Sequence, residues 1–74
     1  MYLNQLQEGE TAKVTDIHLN GDIRRRLLDL GLIIGTDIKC VLKSCHGDPI
    51  AYRVRGALIA LRICDAEKIQ INKG

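Results

Sequence analysis

Hydrophobic and polar residues alternate in two adjoining stretches of the chain, which meet at Gly56. A period of two is typical of strands that bury one face, because successive side chains point to opposite sides of a sheet. We therefore predict two antiparallel strands that reverse direction at Gly56, where a side chain would strain the bend. The residues predicted to face the core are Ile50, Tyr52, Val54, Ile59 and Leu61, and those predicted to face outward are Arg53, Arg55 and Arg62.

An earlier part of the chain has helical spacing instead. Its aliphatic residues at i, i+4 and i+7 are Ile23, Leu27 and Leu30. This spacing places the three side chains on one stripe of an α-helix, which we expect to face the core. Asn20 or Asp22 is suited to cap the amino end of the helix. Gly31 is suited to end it in a left-handed conformation, which a side chain would disfavour.

The remaining elements are predicted to be short. Strands are expected at residues 11–17, 36–44 and 69–72, and helical turns at residues 3–6 and 65–68. In the second of these strands Ile38, Cys40 and Leu42 share the inward phase. The chain is thus predicted to be mainly β, a single domain over residues 1–74. About five strands with one short α-helix inserted after the first favour a small, strongly bent barrel whose closure would hide the strand edges.

Composition narrows the classes of function. The chain has 74 residues, a net charge of +2, no Phe or Trp and two Tyr. Its core must therefore be aliphatic, which suits a structural or adaptor module. Nucleic-acid binding is not expected, because single-strand binders rely on aromatic stacking. The alternative remains a small basic barrel that binds RNA through Arg24, Arg25, Arg26, Arg53, Arg55 and Arg62, and phosphate contacts would make that affinity fall steeply with salt.

The cysteines and the apolar runs of the chain indicate where in the cell it is expected to lie and whether it is expected to enter a membrane. Three cysteines and no secretory signal make the cytoplasm, with reduced thiols, the expected location. No apolar run approaches the roughly 18 residues that a spanning helix needs, so direct membrane insertion is not expected.

The sequence offers few residues in arrangements suited to catalysis or metal binding. The chain has no phosphate-binding GxxxxGK[ST] loop and no convincing pairing of nucleophile and base, so we expect it not to be an enzyme. We also expect no resident cofactor. The weak candidates for binding a divalent metal are Cys45, His46 and Asp48, whose spacing is looser than that of structural zinc sites.

The predicted helix offers a candidate partner surface. Leu28 points away from the core stripe, on the side of Arg24. It is either covered by a neighbouring loop or exposed as an apolar anchor with a charged rim, a layout typical of interfaces. The partner-binding residues predicted on this basis are Arg24, Arg25, Leu28 and Leu32.

Three segments together carry a family resemblance: "RRRLLDLGLIIGT", "GDPIAYRVRGALIALR" and "DAEKIQI". The chain resembles the ferrous iron transport protein A (FeoA) family over residues 6–71. The resemblance implies an SH3-like β-barrel in the cytosol that docks on the FeoB membrane transporter and modulates its GTP-driven activity or assembly. A weak homo-oligomer is compatible with this role. Ile34 stands where the family often has proline.

Overall fold

The computed structural model describes residues 1–73 and contains five strands and two α-helices. A 3₁₀ turn at Leu3–Gln5 precedes the first strand. The elements then follow in the order β1 Thr11–Ile17, α1 Gly21–Asp29, β2 Asp37–Lys43, β3 Ile50–Val54, β4 Ala57–Leu61, α2 Ile63–Ala66 and β5 Ile69–Asn72. The predicted order of elements is confirmed, although the last helical turn begins two residues earlier than expected. Gly74, the end of the predicted domain, lies outside the described residues.

The strands form one antiparallel sheet in the order β4-β3-β2-β1-β5. β3 and β4 make a hairpin in which Val54 pairs with Ala57, so only Arg55 and Gly56 form the loop. Both loop residues have positive φ angles, 50° and 85°, as a type I′ turn requires. The reversal predicted at Gly56 is therefore confirmed.

The two edges of the sheet differ. Along β5, the Ile71 N–H donates to the Met1 carbonyl at 2.8 Å, and Tyr2 forms an isolated bridge with Gln70. No strand within residues 1–73 pairs with the outer side of β4. The expectation that closure would hide every strand edge was wrong, because the ladder ends at β4 and β5 without joining them.

The core lies inside the curved sheet and is almost wholly aliphatic. All five residues predicted to face inward from β3 and β4 are buried, and their three arginine neighbours are exposed. Tyr52 is completely buried, and its Oη donates to the Leu3 carbonyl at 3.2 Å. The chain thus ties its first turn to the middle of the sheet.

Leu42 was predicted to face the core, but its side chain is 59% exposed. The register between β2 and β3 shifts after Cys40, so that Cys40 pairs with Tyr52 but Leu42 pairs with Ala51. This bulge inserts one extra residue into β2 and reverses the phase of the side chains that follow. Cys40 stays buried, while Leu42 turns outward.

The end of α1 also departs from the simple helical stripe. Leu30 is the C-cap and is exposed, because α1 ends at Asp29 and Gly31 turns the chain with a φ of 99°. The Gly31 N–H donates to the Leu28 carbonyl, and the Leu32 N–H to the Leu27 carbonyl. This is the Schellman pattern, in which the residue after the glycine packs against the last turn of the helix.

Candidate partner-docking surface

Exposed aliphatic side chains concentrate at the carboxyl end of α1 and in the turn that follows. Four of the large exposed hydrophobic residues fall within residues 28–34, namely Leu28, Leu30, Ile33 and Ile34. We call this set the α1–β2 surface. Ile33 and Ile34 also line an open groove of about 430 Å³ with Gly35, Thr36, Asp37 and Arg55.

The turn that carries Ile33 and Ile34 is fixed by backbone hydrogen bonds. The Thr36 N–H donates to the Ile33 carbonyl, and Gly35 has a φ of 93°, as the third residue of a type II turn requires. Val14 of β1 accepts from the Gly35 N–H at 2.7 Å and donates to the Thr36 carbonyl at 2.9 Å. The two isoleucines are therefore held outward by their backbone, which lowers the entropy lost when a partner covers them.

Arg55 supplies a charged border to the groove. Its side chain lies over Gly31, so close that a Cβ added to that glycine would be 2.7 Å from the Arg55 Cδ. Within residues 1–73 its guanidinium makes no hydrogen bond or ion pair. The groove therefore combines an apolar wall with an arginine available to an outside acceptor.

The four predicted partner-binding residues differ in their exposure to solvent. Leu28 is 41% exposed and Arg25 is exposed, as a docking role needs. Arg24 instead uses its guanidinium inside the molecule, donating to the carbonyls of Ile17 at 2.8 Å and Leu19 at 3.2 Å. Leu32 is completely buried, because the Schellman turn directs it into the core. Leu32 was thus wrongly assigned to the surface, and Arg24 joins α1 to the end of β1.

Neither Ile33 nor Ile34 was predicted from the sequence to be a partner-binding residue. The signal was present in "GLIIGT", where two β-branched residues stand between glycines. Glycines at both ends favour tight turns, and a turn leaves little room to bury both side chains between them.

The weak metal candidates Cys45, His46 and Asp48 do not form a three-ligand cluster within residues 1–73. Asp48 Oδ1 accepts from the Ile63 N–H at 3.0 Å, so one oxygen of this carboxylate is used at the start of α2. Cys45 and His46 are exposed on the same loop. Among residues 1–73, no three His, Cys, Asp or Glu side chains come close enough together to hold a metal ion. The remaining inward-facing cysteine, Cys40, is buried in the core, and this burial raises the pKa of its thiol.

Two further structural findings concern RNA binding and membrane insertion. Tyr52 is buried against the core and offers no face for base stacking. Within the described part of the chain, no helix is long and apolar enough to cross a membrane.

Comparison with known proteins decides the family. The model of the FeoA domain matches residues 1–73. The chain belongs to the FeoA family. A curated FeoA relative from Porphyromonas gingivalis, named as a fusion of Fe(2+) transport protein A with the Fe(2+) transporter FeoB, is 32% identical over 71 residues. That match covers 96% of this chain but only 8% of the fusion protein.

Solved FeoA structures share the fold. The FeoA protein of Chlorobium tepidum, determined in solution by NMR, is 38% identical with a TM-score of 0.92, covering 97% of this chain and 69% of that one. The FeoA of Stenotrophomonas maltophilia, crystallised with zinc and described as a prokaryotic SH3 domain protein, is 33% identical with a TM-score of 0.81, covering 97% and 89% of the two chains. The predicted SH3-like β fold is confirmed.

Proposed function

We propose that this chain is a non-enzymatic accessory protein of bacterial ferrous iron transport. It docks from the cytoplasm on a FeoB-type membrane transporter and modulates the transporter's GTP-driven activity or assembly. The fusion relative supports this assignment, because a FeoA part and a FeoB part share one polypeptide there. Covalent linkage of two modules raises their effective concentration and is useful where the modules act together.

The observation that carries the docking role is the exposed, backbone-fixed pair Ile33 and Ile34 beside the groove. Protein interfaces commonly place apolar anchors at the centre and charged residues at the rim. Leu28 and Leu30 are exposed at the end of α1 just before this turn and are assigned to the same apolar surface, with the exposed Arg25 and Arg55 assigned to its rim. The partner's surface is expected to offer an apolar protrusion or pocket with acidic groups around it.

A matched pair of substitutions tests the docking surface. Ile34 and Leu42 are 60% and 59% exposed, but only Ile34 belongs to the α1–β2 surface. Purified full-length transporter in lipid nanodiscs would be immobilised, and its affinity for each variant measured by biolayer interferometry. We expect Ile34→Asp to weaken binding by about tenfold or more, the loss of a hot-spot contact. Leu42→Asp should bind like the unmodified chain.

Both variants should keep the melting temperature of the unmodified protein, because both side chains are exposed. Equal affinities for the two variants would contradict docking through the α1–β2 surface. Absence of any binding by the unmodified chain would contradict the proposed function itself. The GTP hydrolysis rate of the transporter, measured with and without the chain, then separates modulation of activity from a role in assembly.

A further inference from the structure

The outer edge of β4 carries backbone groups that have no hydrogen-bond partner within residues 1–73. The pairing of Val54 with Ala57 across a two-residue turn makes that pair hydrogen-bonded, so alternate residues of β4 bond to β3. Leu58 and Ala60 are the residues between them, and their N–H and C=O groups point to the open side. No strand within residues 1–73 lies there.

β4 also lacks the features that usually protect an edge strand. Such strands commonly carry a charged residue, a proline or a bulge, which discourage pairing with another chain. β4 is Ala57–Leu61, contains none of these residue types, and pairs with β3 in unbroken register. Leu58 is 60% exposed on its outer face. β5, by contrast, is covered by the first residues of the chain.

The β3–β4 hairpin that forms this edge carries positive charges only, and the carboxylate of Asp48 lies beyond it at the start of α2. From Ile50 to Cys64 the chain has three arginines and no acidic residue. Arg53 lies directly opposite Lys39 on β2 and opposite Leu58 on β4. Like charges placed opposite one another destabilise a sheet, yet neither Arg53 nor Lys39 has an acidic partner among residues 1–73. Arg62 adds a further exposed charge just beyond β4.

We propose that the free edge of β4 binds an extended segment of a partner protein that carries acidic side chains at alternate positions. The segment adds a sixth strand, with its backbone bonded to Leu58 and Ala60. A strand beside Leu58 lies about 10 Å from the backbone of Arg53, two strand spacings away. That distance is within the combined reach of an extended arginine and a glutamate.

Charge complementarity selects this occupant over a second copy of the chain. Pairing of two β4 edges would bring the arginines of both hairpins to one surface, where they would repel. An acidic strand neutralises the same arginines. Arg55 at the hairpin turn also borders the groove beside Ile33 and Ile34, but the backbone groups of Leu58 and Ala60 and the side chain of Arg53 do not line it, so the inference does not rest on the proposed function.

A peptide titration tests the inference directly. The probe is a short, capped peptide that alternates Glu with Val, added to the ¹⁵N-labelled chain and followed by amide NMR. We expect saturable shifts centred on Leu58 and Ala60, with slower solvent exchange of their amides. A peptide with Lys in place of Glu should bind at least about tenfold more weakly, and salt should weaken binding of the Glu peptide.

Ala60→Pro removes the backbone donor that faces the open edge and leaves the bonds to β3 in place. Ala60→Ser is its matched control and keeps the donor. We expect Ala60→Pro to abolish peptide binding while Ala60→Ser retains it, with dispersed amide spectra showing that both fold. Arg53→Gln should weaken binding without touching the backbone of the edge. Ile34→Asp should bind the peptide normally.

Three results would overturn the inference. The first is the absence of saturable shifts on β4, and the second is equal affinity for the Glu and Lys peptides. The third is concentration-dependent dimerisation in sedimentation runs that Ala60→Pro abolishes, because the edge would then belong to a second copy. Loss of peptide binding in Ile34→Asp would also contradict the separation of the two surfaces.

Discussion

Tyr52 joins the amino-terminal turn to the sheet through one buried hydroxyl. Its Oη donates to the Leu3 carbonyl, and burial raises the pKa of the phenol well above its ordinary value. The other tyrosine, Tyr2, is exposed. Tyr52 is thus the tyrosine of the core, and its hydrogen bond joins two residues that are 49 positions apart in the sequence.

Tyr52→Phe should lower the free energy of unfolding by about 1 kcal/mol at neutral pH, because the buried Leu3 carbonyl loses one of its two donors and keeps only the Leu6 N–H. The measurement is urea unfolding of both proteins at pH 7. An unchanged midpoint would show that the hydrogen bond from the Leu6 N–H alone satisfies this carbonyl.

The same variant should change stability at alkaline pH. An unfolded tyrosine ionises near pH 10, whereas the folded pKa is raised. The contribution of the neutral phenol is therefore fully present below about pH 10 and is lost as the pH rises beyond it. The unmodified protein should lose stability more steeply there than Tyr52→Phe, and parallel curves would contradict the burial effect.

The elements show that sequence spacing alone does not decide burial. Leu27 and Leu30 share the predicted stripe of α1, yet Leu27 is buried and Leu30 is exposed. The difference arises because α1 ends between them and the Schellman turn sends Leu32 inward instead.

Leu27→Ala and Leu30→Ala form a matched pair on this helix. Leu27→Ala should cost roughly 2–5 kcal/mol of stability through lost burial and a cavity, whereas Leu30→Ala should cost far less. Thermal and urea unfolding of the two variants would measure the difference. Equal losses would mean that Leu30 is packed as tightly as Leu27.

For the whole molecule, local patterns predicted the elements and most of the core. The alternation over β3 and β4 identified both strands and the turn at Gly56, because that hairpin has unbroken register. The bulge after Cys40 was not visible, since the sequence keeps its alternation through Leu42 while the pairing shifts. A bulge depends on the neighbouring strand, which a single-strand pattern does not contain.

The exposure of the residues in the proposed docking surface was predicted only in part for a similar reason. Leu28 followed from helical geometry, but Ile33 and Ile34 owe their exposure to a turn anchored on Val14 of β1. Ile34 occupies the second position of that turn, where proline is common in type II turns. The turn forms with isoleucine there as well, since Gly35 supplies the positive φ. The open edge of β4 likewise follows from the order of all five strands.

The most direct test of the account is to map where the transporter touches the chain. Deuterated, ¹⁵N-labelled protein would be mixed with full-length FeoB-type transporter in nanodiscs, and amide signal losses measured by transferred cross-saturation. We predict that the losses centre on residues 28–35 and disappear with Ile34→Asp. Losses confined to other parts of the chain, or spread evenly over it, would contradict docking through the α1–β2 surface.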